Sequence, residues 1–291
     1  MNMEEIINNI VGVSYVGKPR SNTAVFIAKK VDYLLEQLYK VDECIVFAEK
    51  TISVSEKLFA KHCIVLTDHP QAEYTAFVIK LSEKERQRDR ERKYSLTEGN
   101  YYLGENVNIG ENSYIEPGCL IGHDVVIGKN ASICAGAVIK NAIIGDDFTA
   151  GEGAIIGSEG FTLTKDDNEN WIHIPTLGKV RIGNHVDIGV HDNISRGTAD
   201  DTLLDDYIKL DAFVYIGHDT HLKTNTEIAS GGIVGGYVSA EEKTCIGINA
   251  TIRNRITLGK GCMVGMGAVV TKSVEAETTV VGNPARKFEK K

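Results

Sequence analysis

The chain has 291 residues, 32 Lys and Arg against 40 Asp and Glu, and a formal net charge of −8. That balance argues against a nucleic-acid partner, which needs clustered cations for its phosphates, and the one arginine-rich run, residues 83–93 (EKERQRDRERK), interleaves its bases with acids as a solvated helix does. No apolar stretch reaches the roughly 18 residues of a membrane helix, so no stable membrane insertion is expected. The start, MNMEEIINNIVGVS, is acidic where a signal peptide is basic. A cytoplasmic protein is the expectation. Six Cys without a CxxC pair suit reduced thiols better than a disulfide frame or a zinc knuckle.

Residues 1–95 read as a small α/β domain. CIVFAEK (44–50) and CIVLT (63–67) have the composition of strands, YLLEQLYK (33–40) that of a helix, and residues 70–93 that of a longer helix leaving the domain. From residue 96 to 291 a different rule takes over. Every sixth residue is aliphatic: Leu103, Ile109, Ile115, Ile121, Ile127, Ile133 and Ile139, then, after a slip of one, Ile144, Ala150 and Ile156, then Ile182, Ile188 and Ile194. The longest run, from Leu204 to Val270, keeps Leu, Ile or Val at eleven of twelve steps, where chance gives roughly three. Gly follows at 217, 235, 247, 259 and 265.

Neither helix nor ordinary strand has a period of six. A three-sided prism does: each hexad supplies one face, its aliphatic residue points inward, and a small residue turns the corner. The expected fold is therefore a left-handed parallel β-helix of about eight coils, preceded by the α/β domain. Two stretches break the period, residues 157–181, which hold the lone Trp171, and residues 195–203. Loops ejected from a regular coil tend to carry function.

The core of such a rod is dry, so chemistry must occur on its walls. His218, in YIGHDTH, is the natural base for a nucleophile's proton. Eighteen residues on, one turn of the prism, stands Gly236, whose bare amide could face an oxyanion; one turn further come Asn254 and Arg255. Base, amide and polar or cationic group stacked on one wall suit acyl transfer from a thioester lying along the rod. Asp211, seven residues before His218, is a candidate to orient the imidazole, or else a polar corner residue.

These residues carry a resemblance. IGSEGF (156–161), WIHIPTLGKVRIGNHVDIG (171–189), ISRGTADDT (194–202), IKLDAFVYIGHD (208–219) and GGIVGG are similar to the UDP-3-O-acylglucosamine N-acyltransferase family of the lipid A pathway. The resemblance implies a left-handed β-helix, a uridine-binding N-terminal domain, a homotrimer with active sites between subunits, His218 as general base and Gly236 as oxyanion amide. AVFIAKKVDYL (24–34) resembles the uridine-binding segment, which makes Phe26 and Tyr33 the candidates to stack on a base, although Lys29 stands where that family has Asn. Arg255 falls where that family has a second His, and the helical extension with which it docks acyl carrier protein is not seen after the rod.

The last segment, VGMGAVVTKSVEAETTVVGNPARKFEKK, instead resembles the end of acetyl-CoA-dependent hexapeptide acetyltransferases, with Thr271, Lys272, Arg286 and Lys287 matching its coenzyme-holding turn. The leading expectation is an N-acyltransferase moving an acetyl or other short acyl group from acyl-CoA to the amine of a nucleotide-linked amino sugar in surface polysaccharide biosynthesis. The alternative is the lipid A reaction, with acyl carrier protein as donor. His191 and Trp171 are candidates to contact the acceptor sugar. No metal is expected. A zinc hydratase on the same rod would draw on His185, His191, His218 and His221, which lack its spacing, and a non-catalytic β-helix would leave the alignment of His218 with Gly236 unexplained.

Overall fold

The computed structural model describes residues 9–165 and 168–288. The chain divides into two compact units. One comprises the chain up to Arg88 together with Phe161–Gly178 and Thr198–Asp200; the other comprises Asp89–Gly160, Lys179–Gly197 and the chain from Asp201 on.

The first unit is built on a parallel sheet in sequential order, β1 (Gly12–Val13), β2 (Thr23–Ile27), β3 (Ile45–Glu49) and β4 (Cys63–Thr67). Alternation along β2 sends Ala24 and Phe26 to one face and Val25 and Ile27 to the other. The Val25 face packs against a 3-10 helical stretch, Lys29–Lys40, kinked at Val31, and against α1 (Glu56–Lys61), whose Ser55 caps the amide of Leu58. The Phe26 face packs against α2 (Pro70–Glu91) through Tyr74 and Val78. The same core takes in Ile174 and Leu177 from the first excursion. That excursion is a hairpin, Thr162–Lys165 pairing antiparallel with Trp171–Ile174, and the base of its second strand joins the core of this unit. The division expected at residue 95 leaves out both excursions, whereas the compact unit takes in Phe161–Gly178 and Thr198–Asp200 from them.

The second unit is a three-sided left-handed parallel β-helix. Its first face runs from Asn108–Ile109 to Thr257–Leu258 in eight strands. The second starts at Tyr114–Ile115 and the third at Ser95–Leu96, with ten strands each. The periodic aliphatic residues point inward, Ile121, Ile133, Ile156, Ile216 and Val234 among them, all without solvent exposure. Each buried aliphatic side chain contributes about 1.5–3 kcal/mol by leaving water. At the corners the third residue after the inward one turns through the left-handed region, as at Asn130 (φ 58°) and Asp219 (φ 56°). Asn and Asp tolerate that conformation best.

Candidate active site

Three consecutive third-face strands set the site. Tyr215–Ile216 pairs in register with Ile233–Val234, and that strand with Thr251–Ile252. The corner after each strand therefore repeats every eighteen residues, placing His218, Gly236 and Asn254 in one column at about 4.8 Å per coil. Corner amides tie the coils together: Tyr237 N–H donates to the His218 carbonyl (2.9 Å) and Arg255 N–H to that of Gly236 (3.0 Å). His218 and Gly236 stand in one column, as their eighteen-residue spacing predicts.

His218 is held on several sides. Its Nδ1 lies 2.8 Å from Asp219 Oδ2, with only 12% and 4% of the two side chains exposed. Asp219 in turn receives backbone support: its own amide donates to Thr202 Oγ1 (2.9 Å). An Asp219 carboxylate accepting from Nδ1 selects the tautomer whose lone pair is on Nε2, the nitrogen that could then accept a proton. A Cβ added to Gly236 would come within 2.8 Å of Nε2, so the imidazole rests on the glycine backbone where no side chain could stand. The Tyr237 ring meets the imidazole edge-on, centroids 5.1 Å apart at 88°.

The Gly236 amide is open. At the first-to-second-face corner the equivalent amides are capped by side chains, Lys129 by Asp146 (2.7 Å), Asp146 by Asn184 (2.9 Å) and Asn184 by Asp206 (2.6 Å). Among the described residues no such cap serves Gly236. A base and a free donor one coil apart can take a proton from a nucleophile and stabilise the oxyanion it creates.

Asp211 does not orient the imidazole. It follows the second-face strand Lys209–Leu210 and so stands at the other end of the third face, where its carboxylate accepts from Ser230 Oγ and the Ala212 amide, bonds that hold its pKa below the usual carboxylate range. The orienting carboxylate is Asp219, adjacent in sequence. The His-Asp pair within IGHD was the signal for it.

Further up the column stand Thr271 and Lys272, the latter eighteen residues beyond Asn254. Arg253, which the sequence reading missed, joins them, with its guanidinium directed to the Thr271 carbonyl (3.5 Å). The guanidinium of Arg255 lies over the Tyr237 ring at 4.2 Å. Among the described residues, none of Arg253, Arg255 and Lys272 has an ion-pair partner. Arg286 is not part of this column: it lies on a second-face strand antiparallel to Thr279–Val281 and donates to the Ala285 carbonyl.

The other candidates are dispersed. Phe26 packs on Tyr74 at 5.0 Å on one face of its sheet, whereas Tyr33, 68% exposed, belongs to the helical stretch on the opposite face, so the two do not meet on one base. Strand alternation explains why: sequence proximity did not translate into a shared side. Trp171 is 67% exposed on the hairpin, with Lys165 Nζ over its ring at 5.3 Å. His191 is exposed at the second-to-third-face corner, against the Phe213 ring at 5.6 Å. His221 pairs with Asp205 (3.0 Å), and His185 stacks on Tyr207 near Asp147. Among the described residues no group of three or more His, Cys, Asp or Glu is arranged to hold a metal.

The fold is that of a β-helix whose inward residues recur every six positions. Residues 106–141 match the family model described as bacterial transferase hexapeptide (six repeats), and residues 237–272 match the hexapeptide repeat of succinyl-transferase. Among curated relatives, UDP-3-O-acylglucosamine N-acyltransferase of Albidiferax ferrireducens is 35% identical over 41% of this chain and 36% of its own length. The enzyme of the same name from a Caulobacter species is 32% identical over 52% of this chain and 44% of its length. The chain thus spans less than half the length of these relatives. Among solved structures, UDP-N-acetylglucosamine acyltransferase from Campylobacter jejuni superposes with a TM-score of 0.58 at 23% identity, over 65% of this chain and 72% of that one. The Francisella novicida enzyme gives 0.56 at 24%, over 62% and 64%. At that identity the likeness is one of fold. The resemblance to hexapeptide-repeat acyltransferases read from the sequence agrees with these matches.

Proposed function

We propose that this chain transfers an acyl group from a phosphopantetheine thioester to the amine of a nucleotide-linked amino sugar. The observation that carries the reading is the stacked pair of His218, held by Asp219, and the uncapped Gly236 amide. The neutral amine attacks the thioester carbonyl while Nε2 of His218 takes its proton. The Gly236 N–H stabilises the tetrahedral oxyanion, which collapses to the amide and expels the thiolate; the imidazolium returns its proton to that sulfur. No covalent enzyme intermediate is required.

The named relatives favour a UDP-3-O-acylglucosamine acceptor, with the acyl group delivered on acyl carrier protein as in lipid A assembly. The homotrimer implied by the family resemblance is the assembly we take as the working unit. A second reading, acetyl-CoA as donor in surface polysaccharide synthesis, is supported by Arg253 and Lys272. Lys272 lies three coils beyond His218, about 14 Å at 4.8 Å per coil, within reach of the phosphate end of a pantetheine arm.

The test offers purified protein a UDP-linked amino sugar with acetyl-CoA in one arm and long-chain acyl carrier protein in the other. The donor consumed identifies the carrier. His218→Ala lowers turnover at least about a hundredfold with circular dichroism of the rod unchanged. Unaltered turnover in that variant rejects His218 as base, and consumption of neither donor rejects the reaction.

A further inference from the structure

Resting on the reading of His218 as base, we infer that Tyr237 is a positioning residue that fixes both the catalytic imidazole and the donor-side guanidinium of Arg255. Asp219, Tyr237 and Arg255 occupy the same corner position in three successive coils, all in the left-handed region at φ 56°, 60° and 61°. Corner residues throughout the rod share that conformation, so the fold itself sets where the Tyr237 side chain leaves the backbone. One edge of its environment is the His218 imidazole at 5.1 Å, nearly perpendicular; over its face lies the Arg255 guanidinium at 4.2 Å.

The geometry gives the ring two jobs. The imidazole is bonded at Nδ1 to Asp219 and lies against Gly236, and the motion open to its ring is a turn about the Cβ–Cγ bond. The Tyr237 ring closes that freedom and so sets where Nε2 points. On its other face, cation–π attraction holds a planar guanidinium that has no ion-pair partner among the described residues, and so orients its donors. One aromatic side chain thus couples the proton-transfer end of the site to the donor tract above it.

The experiment is a double-mutant cycle on Tyr237 and Arg255, with a spectroscopic measurement that needs no turnover. Tyr237→Ser lowers kcat by roughly tenfold to a hundredfold, because the base is misdirected, and raises donor KM about tenfold, because Arg255 is released. Arg255→Met raises donor KM alone. In the double variant the donor KM penalty is not additive while the kcat loss persists. Tyr237→Phe, which keeps the ring, recovers most of both losses.

In protein carrying labelled His, the imidazole resonances of His218, assigned by their absence in His218→Ala, shift or broaden in Tyr237→Ser and not in Tyr237→Phe. If Tyr237→Ser leaves these resonances unchanged, or if the two KM penalties add, the inference is overturned. If the resonances respond as expected but wild-type protein turns over neither donor, the positioning role is upheld and the assigned reaction is the part that fails.

Discussion

The tetrapeptide Ile-Gly-His-Asp occurs twice, at 121–124 and at 216–219, both times at the end of a third-face strand. Its two copies behave differently because of what approaches them. Around His123, the Arg92 guanidinium takes the Asp124 carboxylate with bonds of 2.5 and 3.1 Å, the imidazole Nδ1 accepts the Glu105 amide (2.9 Å), and Tyr94 covers the ring at 4.5 Å. An imidazole whose Nδ1 accepts a hydrogen bond has no lone pair left for a substrate proton once Nε2 carries the hydrogen. His218, with its Nδ1 on Asp219, has the opposite arrangement. Sequence reasoning reached His218 through YIGHDTH, its eighteen-residue spacing to Gly236 and the family resemblance. That same spacing yields a prediction at residue scale. Gly236→Ala puts a methyl group 2.8 Å from His218 Nε2 and must displace the ring. The expected result is a kcat loss of about a hundredfold, with little change in the melting temperature of a corner facing outward. An alanine variant with wild-type kcat would show that the imidazole need not lie against this backbone.

At the scale of elements, the hexad period fixed the coils because it is written once per strand, and the inward residues came out buried as expected. Side-by-side relations across a corner were not legible. Asp211 and His218 are seven residues apart yet stand at opposite ends of one face, and Phe26 and Tyr33 are separated by a whole sheet. Nor did the sequence show that the first excursion contributes Ile174 and Leu177 to the core of the α/β unit, since two apolar residues in a polar loop have no periodicity to read. Where the coil is interrupted, the rod holds a carboxylate inside. Asp192 has no exposure and sits where neighbouring coils place Ala154 and Val214; its oxygens accept the Gly189 and Val214 amides, each at 2.7 Å. Burial, only partly offset by those bonds, pushes its pKa up from 3.8 to about 6. The folded state therefore binds a proton more readily than the unfolded chain between pH 4 and 6, and this group's contribution to stability rises as the pH falls through about 6. Its size is of the order of 3 kcal/mol, or about 5 °C in melting temperature. Measured against Asp192→Asn, wild-type protein should gain about two thirds of that margin as the buffer goes from pH 7.5 to 4.5. Parallel melting profiles would mean that the buried carboxyl does not titrate in this window.

For the molecule as a whole, the charge balance and the local charge have opposite signs. A chain of net charge −8 repels an acidic donor at long range, whether that donor is a coenzyme with several phosphates or an acidic carrier protein. Arg253, Arg255 and Lys272 oppose that repulsion on one corner of the rod, at the end of the column that begins with His218, and among the described residues none is neutralised by an ion pair. Several other rod cations are spent on neighbours, as Lys209 is on Asp187, Lys223 on Glu241 and Lys260 on Glu242. If Arg253, Arg255 and Lys272 hold the donor, its capture is an electrostatic step, which salt weakens over a screening length of about 8 Å at physiological ionic strength. Donor KM should accordingly climb as NaCl is raised from 50 to 500 mM. Replacing Arg253 and Lys272 together by Met should raise donor KM about tenfold at low salt and flatten its salt dependence. The same double variant should handle a short pantetheine thioester that lacks the phosphate as well as wild-type protein does. Equal losses on the phosphorylated and unphosphorylated donors would instead assign these cations to the stability of the upper coils.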